Sequence, residues 1–125
     1  MKQALVIDDA AMFRRAVHRM LRRVGLGVEE AADGRAGFAA LSQRPVDVAL
    51  VDCLMPGLSG LELIAQVRRD RRFDGVKLVL VTGLEDGNAA ELALLAGADG
   101  YLVKPFNEAA LVEQLDGLGL VRHVA

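Results

Sequence analysis

Cysteine occurs once in the chain, at Cys53, so no internal disulfide can form, which fits a reducing cytosol. Charge of one sign is not in excess. Lys and Arg number 15 against 17 Asp and Glu, a formal net charge of -2, which gives no reason to expect direct nucleic acid contact. No apolar run approaches the roughly 18 residues of a membrane span. The N-terminal stretch MKQALVIDDAAMFRR is cut by Asp8 and Asp9, which no signal-peptide core tolerates. Internal repeats, linkers and low-complexity segments are missing. So are a P-loop or GxGxxG at a useful place, a GxSxG elbow, and histidines at metal-ligand spacing. What is there is 53% hydrophobic over 125 residues, enough apolar material for one buried core and too much for a disordered chain. The expectation is one soluble, cytoplasmic domain over residues 1–125, with no membrane contact. Its core covers about 3–116, and a tail, 117–125, frays. Met1 reads as a natural start.

Short apolar runs alternate with longer amphipathic stretches. Gln3–Ile7, Val28–Ala31, Val46–Val51, Val76–Val81 and Tyr101–Val103 read as strands. Val46–Val51, interrupted only by Asp47, has the continuous apolar character of a strand buried on both faces. Helical spacing covers Ala10–Val24, Gly34–Leu41, Leu61–Arg69, Asn88–Ala96 and Glu108–Leu115. Asp33, Ser59 and Asn107 stand at N-cap positions, and Gly25, Gly27 and Gly97 end helices. Five strand-then-helix units in series imply an α/β fold, a doubly wound parallel sheet with right-handed crossovers.

Ligands of such sheets bind beyond the carboxyl ends of the strands. The first strand ends in Asp8 and Asp9, the third in Asp52, the fourth in Thr82, and the fifth in Lys104 followed by Pro105. Three carboxylates brought together repel one another unless a cation joins them. A hard divalent ion with oxygen ligands, Mg²⁺ first and Mn²⁺ as its substitute, suits them. A carboxylate is also a nucleophile towards phosphorus, and phosphoryl transfer needs little beyond alignment, a metal and donors for the phosphoryl oxygens. Lys104 and Thr82 could supply such donors.

The segments ALVIDDAAMFRR, VDVALVDCLMPGLSGLELI, VKLVLVTG and AGADGYLVKPF, in that order and spacing, resemble the response-regulator receiver family of two-component signalling, chemotaxis regulators included. The likeness runs from Ala4 to about Leu115. It implies a flavodoxin-like (βα)5 fold with strand order 2-1-3-4-5. It makes Asp52 the phospho-acceptor and Asp8, Asp9, Asp52 and the Leu54 backbone carbonyl the metal ligands. Lys104 binds phosphoryl oxygens, Thr82 and Tyr101 are the switch pair, and Lys104–Pro105 is a cis peptide. The donor is a histidine kinase or histidine phosphotransferase. The output is a downstream protein or a fused domain, reached through the fourth helix, fifth strand and fifth helix, with a homodimer through that face among the partners the family allows. The resemblance leaves open a receiver cut from a larger DNA-binding regulator or hybrid kinase. It also leaves open an interaction module that has lost phosphorylation.

A true enzyme, a Mg²⁺-dependent phosphatase with an aspartate nucleophile, is the reading from another class. Haloacid-dehalogenase phosphatases need a second acid where Leu54 stands, and a cap domain for which no length remains. A flavodoxin needs a hydroxyl-rich loop after the first strand, where Asp8 and Asp9 would repel phosphate. The remaining expectations concern surfaces and kinetics. Leu92 and Leu95 face solvent as a partner or dimer patch. Leu54 and Leu84 shield the acyl phosphate and slow its hydrolysis. Tyr101, taken alone, also fits a half-buried strand tyrosine, and Cys53 reads as apolar filling. His18 and the basic face of the first helix, and the cluster Arg68, Arg69, Arg71 and Arg72, read as solvated.

Overall fold

The computed structural model describes residues 1–83 and 88–121. Strands and helices alternate: β1 (Gln3–Ile7), α1 (Ala11–Arg23), β2 (Gly27–Ala31), α2 (Gly34–Gln43), β3 (Val48–Asp52), α3 (Gly60–Arg68), β4 (Lys77–Thr82), α4 (Ala89–Ala96), β5 (Gly100–Val103) and α5 (Glu108–Gly117). All strands are parallel, in one sheet ordered β2-β1-β3-β4-β5. This is the expected flavodoxin-like, doubly wound arrangement.

The period-two alternation of side chains along a strand divides the core into two layers. Leu5, Ile7, Ala49, Val51, Leu78 and Leu80 face α2, α3 and α4, where Leu41, Leu63, Ile64, Val67 and Ala93 meet them. Ala4, Val6, Val48, Leu50, Val79 and Val81 face α1 and α5, where Val17, Leu21, Leu111 and Leu115 meet them. Apolar residues therefore run continuously through β3, as both its faces are covered. Each fully buried Leu or Ile contributes about 1.5–3 kcal/mol to this frame.

Caps fix where the helices begin. Asp33 accepts from the Ala36 amide at 2.8 Å, and Asn107 from the Ala110 amide at 2.9 Å. Ser59 and Glu62 form a reciprocal capping box at the start of α3. Gly97, at φ 98°, closes α4 in the left-handed conformation that glycine adopts without a Cβ penalty.

Three expectations change at this level. β3 begins at Val48 and not at Val46, and the Asp47 side chain just before it accepts from the Gln3 amide of β1 at 2.7 Å. Arg68 is no solvated loop residue. It lies on α3 and donates to the carbonyls of Gly97 (2.9 Å), Phe73 (3.2 Å) and Val76 (2.7 Å) and to Asp99 (2.6 Å). That brace ties α3, a 3-10 turn at Arg71–Phe73, the start of β4 and the end of α4 together. Finally, Leu118, Leu120 and Val121 pack on the α1–α5 layer, so the chain stays docked beyond α5 instead of fraying there. Residues 122–125 of the expected tail lie outside the described residues.

Candidate functional site

Parallel strands bring their carboxyl ends to one rim, and the polar residues read from the sequence meet there. Asp8 follows β1, Asp52 ends β3, Thr82 ends β4, and Lys104 follows β5. Asp8 is 2% exposed, Asp52 7% and Thr82 1%, whereas Asp9 lies at the surface. Carboxylate oxygens of Asp8, Asp9 and Asp52 all lie within 4.8 Å of one another. Lys104 Nζ stands 2.9 Å from Asp8 Oδ2 and 3.3 Å from Asp52 Oδ1. The Lys104–Pro105 peptide is cis.

One ammonium among three carboxylates leaves the rim negative. Burial, reinforced by the charge of Asp8, pushes the Asp52 carboxyl above its ordinary pKa, although Lys104 pulls the other way. Burial opposes the charge of Lys104, but the hydrogen bond to Asp8 and the charges of Asp52 and Asp8 outweigh it and raise the ammonium's pKa. Its Nζ also lies 4.2 Å from the centroid of the Phe13 ring, a cation–π contact. Phe106 meets Phe13 edge-on, with centroids 5.6 Å apart. An apolar wall from α1 and the chain after β5 thus backs the lysine. Three clustered hard-oxygen donors with excess negative charge are suited to a divalent cation.

Several supporting residues escaped the sequence. Arg14 is one. Its Nε donates to Glu30 at 2.7 Å and its Nη1 to the Asp8 backbone carbonyl at 2.7 Å, while His18 Nδ1 lies 2.7 Å from the other Glu30 oxygen. Arg14 and His18 therefore turn towards β2, contrary to the solvated face expected of them. Burial works against the charge on Glu30, but Arg14 and His18 outweigh it and hold its pKa below the usual carboxylate range. The Asp8 side chain in turn accepts from the Ala10 amide at 2.8 Å, which helps to fix the acidic turn. α1 has no side-chain N-cap of its own.

Gly60 is a second supporting residue. A methyl group at this position would overlap the backbone carbonyl oxygen of Asp52, so α3 can start against the end of β3 only with glycine there. Cys53 is a third. Buried as expected, it is more than filling, because its thiol and the Thr82 hydroxyl share a hydrogen bond. Burial, with the neighbouring Asp52 charge, raises the thiol's pKa.

The flanking leucines divide. Leu54 is 74% exposed at the rim, and Leu84 lies outside the described residues. On α4, Leu92 is half-buried against the core, so the expectation that it faces solvent fails. Leu95 is 84% exposed as expected, and Leu94, at 77%, takes the place assigned to Leu92. Leu92 and Leu95, three positions apart, lie about 60° apart around the helix, but the core side runs through Ala89, Leu92, Ala93 and Ala96, so Leu95 falls beyond its edge and Leu94 further round. Tyr101 is exposed on β5, on the sheet face that carries α4, in register with Leu80.

With this geometry, the chain falls in the class of doubly wound α/β proteins with an acidic rim. Residues 4–116 match the model of the response regulator receiver domain. The chain belongs to that family. It is 36% identical over 116 residues to the chemotaxis protein CheY homolog of Campylobacter jejuni, covering 90% of this chain and 88% of that one. It is 34% identical over 113 residues to chemotaxis protein CheY-3 of Vibrio cholerae, covering 90% and 87%. Among solved structures it is similar to the response regulator TrrA of Thermotoga maritima, determined in complex with Mg²⁺-BeF. That match has 30% identity and a TM-score of 0.83, over 94% of this chain and 99% of that one. Receiver domains are signalling modules. No described helix is long and apolar enough to cross a membrane.

Proposed function

We propose that this receiver accepts a phosphoryl group on Asp52 from a phosphohistidine of a histidine kinase or histidine phosphotransferase. The observation that carries the reading is the buried Asp52 carboxylate, held 3.3 Å from Lys104 and within 4.8 Å of Asp8 and Asp9 oxygens. In the transfer, an Asp52 oxygen forms a bond to phosphorus as the phosphorus–nitrogen bond breaks, and the electron pair stays on the imidazole nitrogen. Asp8, Asp9, Asp52 and the Leu54 carbonyl would hold Mg²⁺, or Mn²⁺ in its place. Such an ion would neutralise the clustered carboxylates and the phosphoryl oxygens. That the Thermotoga relative was determined with Mg²⁺-BeF supports this choice of ion and ligand.

Lys104 already faces both buried carboxylates and would pair with a phosphoryl oxygen. Thr82 would exchange its Cys53 partner for the phosphoryl group, and Tyr101 would swing inward from its exposed position. The two movements bias an existing equilibrium of the α4–β5–α5 face, whose affinity for an output partner or fused domain is the signal. The output is a changed partner affinity and not a released product, which sets the reading apart from a phosphatase and suits a protein of the cytoplasm. Incubation with a labelled phosphohistidine protein tests the reading. Label should transfer to the wild type and fail to transfer to Asp52→Asn or in the presence of a chelator. Equal labelling of Asp52→Asn would refute it.

A further inference from the structure

Charge is segregated over this fold. α1 carries Arg14, Arg15, Arg19, Arg22 and Arg23, and the corner after α3 carries Arg69, Arg71 and Arg72. Between residues 88 and 121 the only Lys or Arg is Lys104, and it is committed to the acidic rim. The same stretch has Glu91, Asp99, Glu108, Glu113 and Asp116. Asp99 is held by Arg68 and Glu108 by Arg23, which leaves Glu91, Glu113 and Asp116 as the exposed acids of α4 and α5. Beside them lie Leu94, Leu95 and Tyr101. Helical geometry puts Leu94 on the flank of α4 opposite the half-buried Leu92, and Tyr101 extends from the α4 side of the edge strand. Glu113, Tyr101 and Ala110 line one hollow between β5 and α5.

We infer that the α4–β5–α5 face takes a basic segment with apolar anchors from another protein and does not take a second copy of this chain. The inference rests on the proposed function, which makes this face the output. Leu94, Leu95 and Tyr101 supply the desolvated centre, and Glu91 and Glu113 select a partner bearing lysine or arginine. A symmetric dimer would set the patch against itself. Its acids would then meet acids, with the one basic residue of the stretch, Lys104, held at the rim, and like charges brought together across an interface oppose association.

The test uses the full chain, with and without Mg²⁺ and a beryllofluoride phosphoryl mimic, and two synthetic amphipathic helices, one of leucine and lysine, the other of leucine and glutamate. The leucine–lysine helix should bind, more weakly as salt rises, and the leucine–glutamate helix should not. Glu91→Lys/Glu113→Lys and, separately, Leu94→Ser should each weaken binding by roughly tenfold, while Glu62→Lys on α3 leaves it unchanged. In sedimentation the mimic-bound chain should stay monomeric. Binding that ignores the reversals at Glu91 and Glu113, or self-association abolished by Leu94→Ser, overturns the inference. The switch is read separately. Reversal-sensitive binding that is the same with and without the mimic upholds the surface and counts against phosphorylation control.

Discussion

Replacing Asp52 with Asn should stabilise the metal-free protein, and the size of the gain follows from the rim. At an effective dielectric of about 20, two carboxylates at the 4.8 Å limit of the cluster repel by about 3.5 kcal/mol, and the Lys104–Asp52 contact at 3.3 Å attracts by about 5 kcal/mol. Asp9 is exposed, so its repulsion falls towards the value in water, about 1 kcal/mol. Attraction and repulsion at Asp52 thus nearly cancel, and the cost of burying a charge in a site 7% exposed remains. That balance agrees with burial as the first cause of the raised pKa. Removing that cost should gain about 1–2 kcal/mol, the scale found when mutation relieves a buried polar group. In a domain of this size that is a rise in Tm of roughly 3–10 °C.

The pH dependence gives the sign. A carboxyl whose folded pKa is raised holds its proton longer in the folded state. Wild-type stability therefore falls relative to the variant as pH climbs from the ordinary aspartate range through the raised folded pKa. Below the ordinary range both states are protonated and the advantage of Asp52→Asn disappears. Mg²⁺ should narrow the gap at neutral pH, since an ion at tenfold its Kd stabilises the folded wild type by about 1.4 kcal/mol. Thermal unfolding from acid to neutral pH, with chelator or with Mg²⁺, checks all three statements. A metal-free variant less stable than wild type at neutral pH, or a gain that persists undiminished in acid, would refute the reasoning.

Other outcomes follow from the supporting residues. Arg14→Ala removes the donor to the Asp8 carbonyl. It should weaken Mn²⁺ binding, read by the spectrum of the free ion, by roughly tenfold, the loss typical when a partner of a metal ligand is removed. Arg23→Ala, which loses only the exposed ion pair with Glu108, should leave that binding unchanged. Gly60→Ala should cost about 1–3 kcal/mol in denaturant unfolding, because the added methyl meets backbone and not a movable side chain. Arg68→Ala should cost about 3 kcal/mol or more, since four acceptors lose one part-buried cation, whereas Arg72→Ala at the exposed Asp70 pair should change stability little. Leu54→Asn should shorten the lifetime of the phosphorylated protein, followed as loss of acyl phosphate at neutral pH. An unchanged lifetime would remove Leu54 from the account.

Strand order aside, most of the frame was legible, because the strands are short, four of the five are mainly apolar, and α2, α3 and α5 each open on a side-chain cap. Asp33, Ser59 and Asn107 show their capping role through residue type and spacing alone. The acidic rim was legible for a similar reason, since parallel strands must end together and the polar residues sit at their ends. What stayed hidden depends on contacts distant in sequence. The links from Arg14 to Glu30 and from Arg68 to Asp99 cross 16 and 31 positions, and nothing local separates those arginines from solvated neighbours. Gly60 was present in the GLSG segment, but its need for space against Asp52 appears only when α3 packs on β3. Leu92 and Leu95 are indeed neighbours on α4, but Leu92 falls on the side it shares with Ala89 and Ala93, whose small side chains leave it room against the core.

The central claim is that Asp52 takes the phosphoryl group at a rim built for a cation. Intact-protein and peptide masses, recorded after incubation with Mg²⁺ and a small acyl phosphate, address it most directly. The wild type should gain the mass of one phosphoryl group on the peptide bearing Asp52, and Asp52→Ala or chelated wild type should gain none. A wild type that stays unmodified, or an Asp52→Ala chain that gains the same mass, would contradict the account.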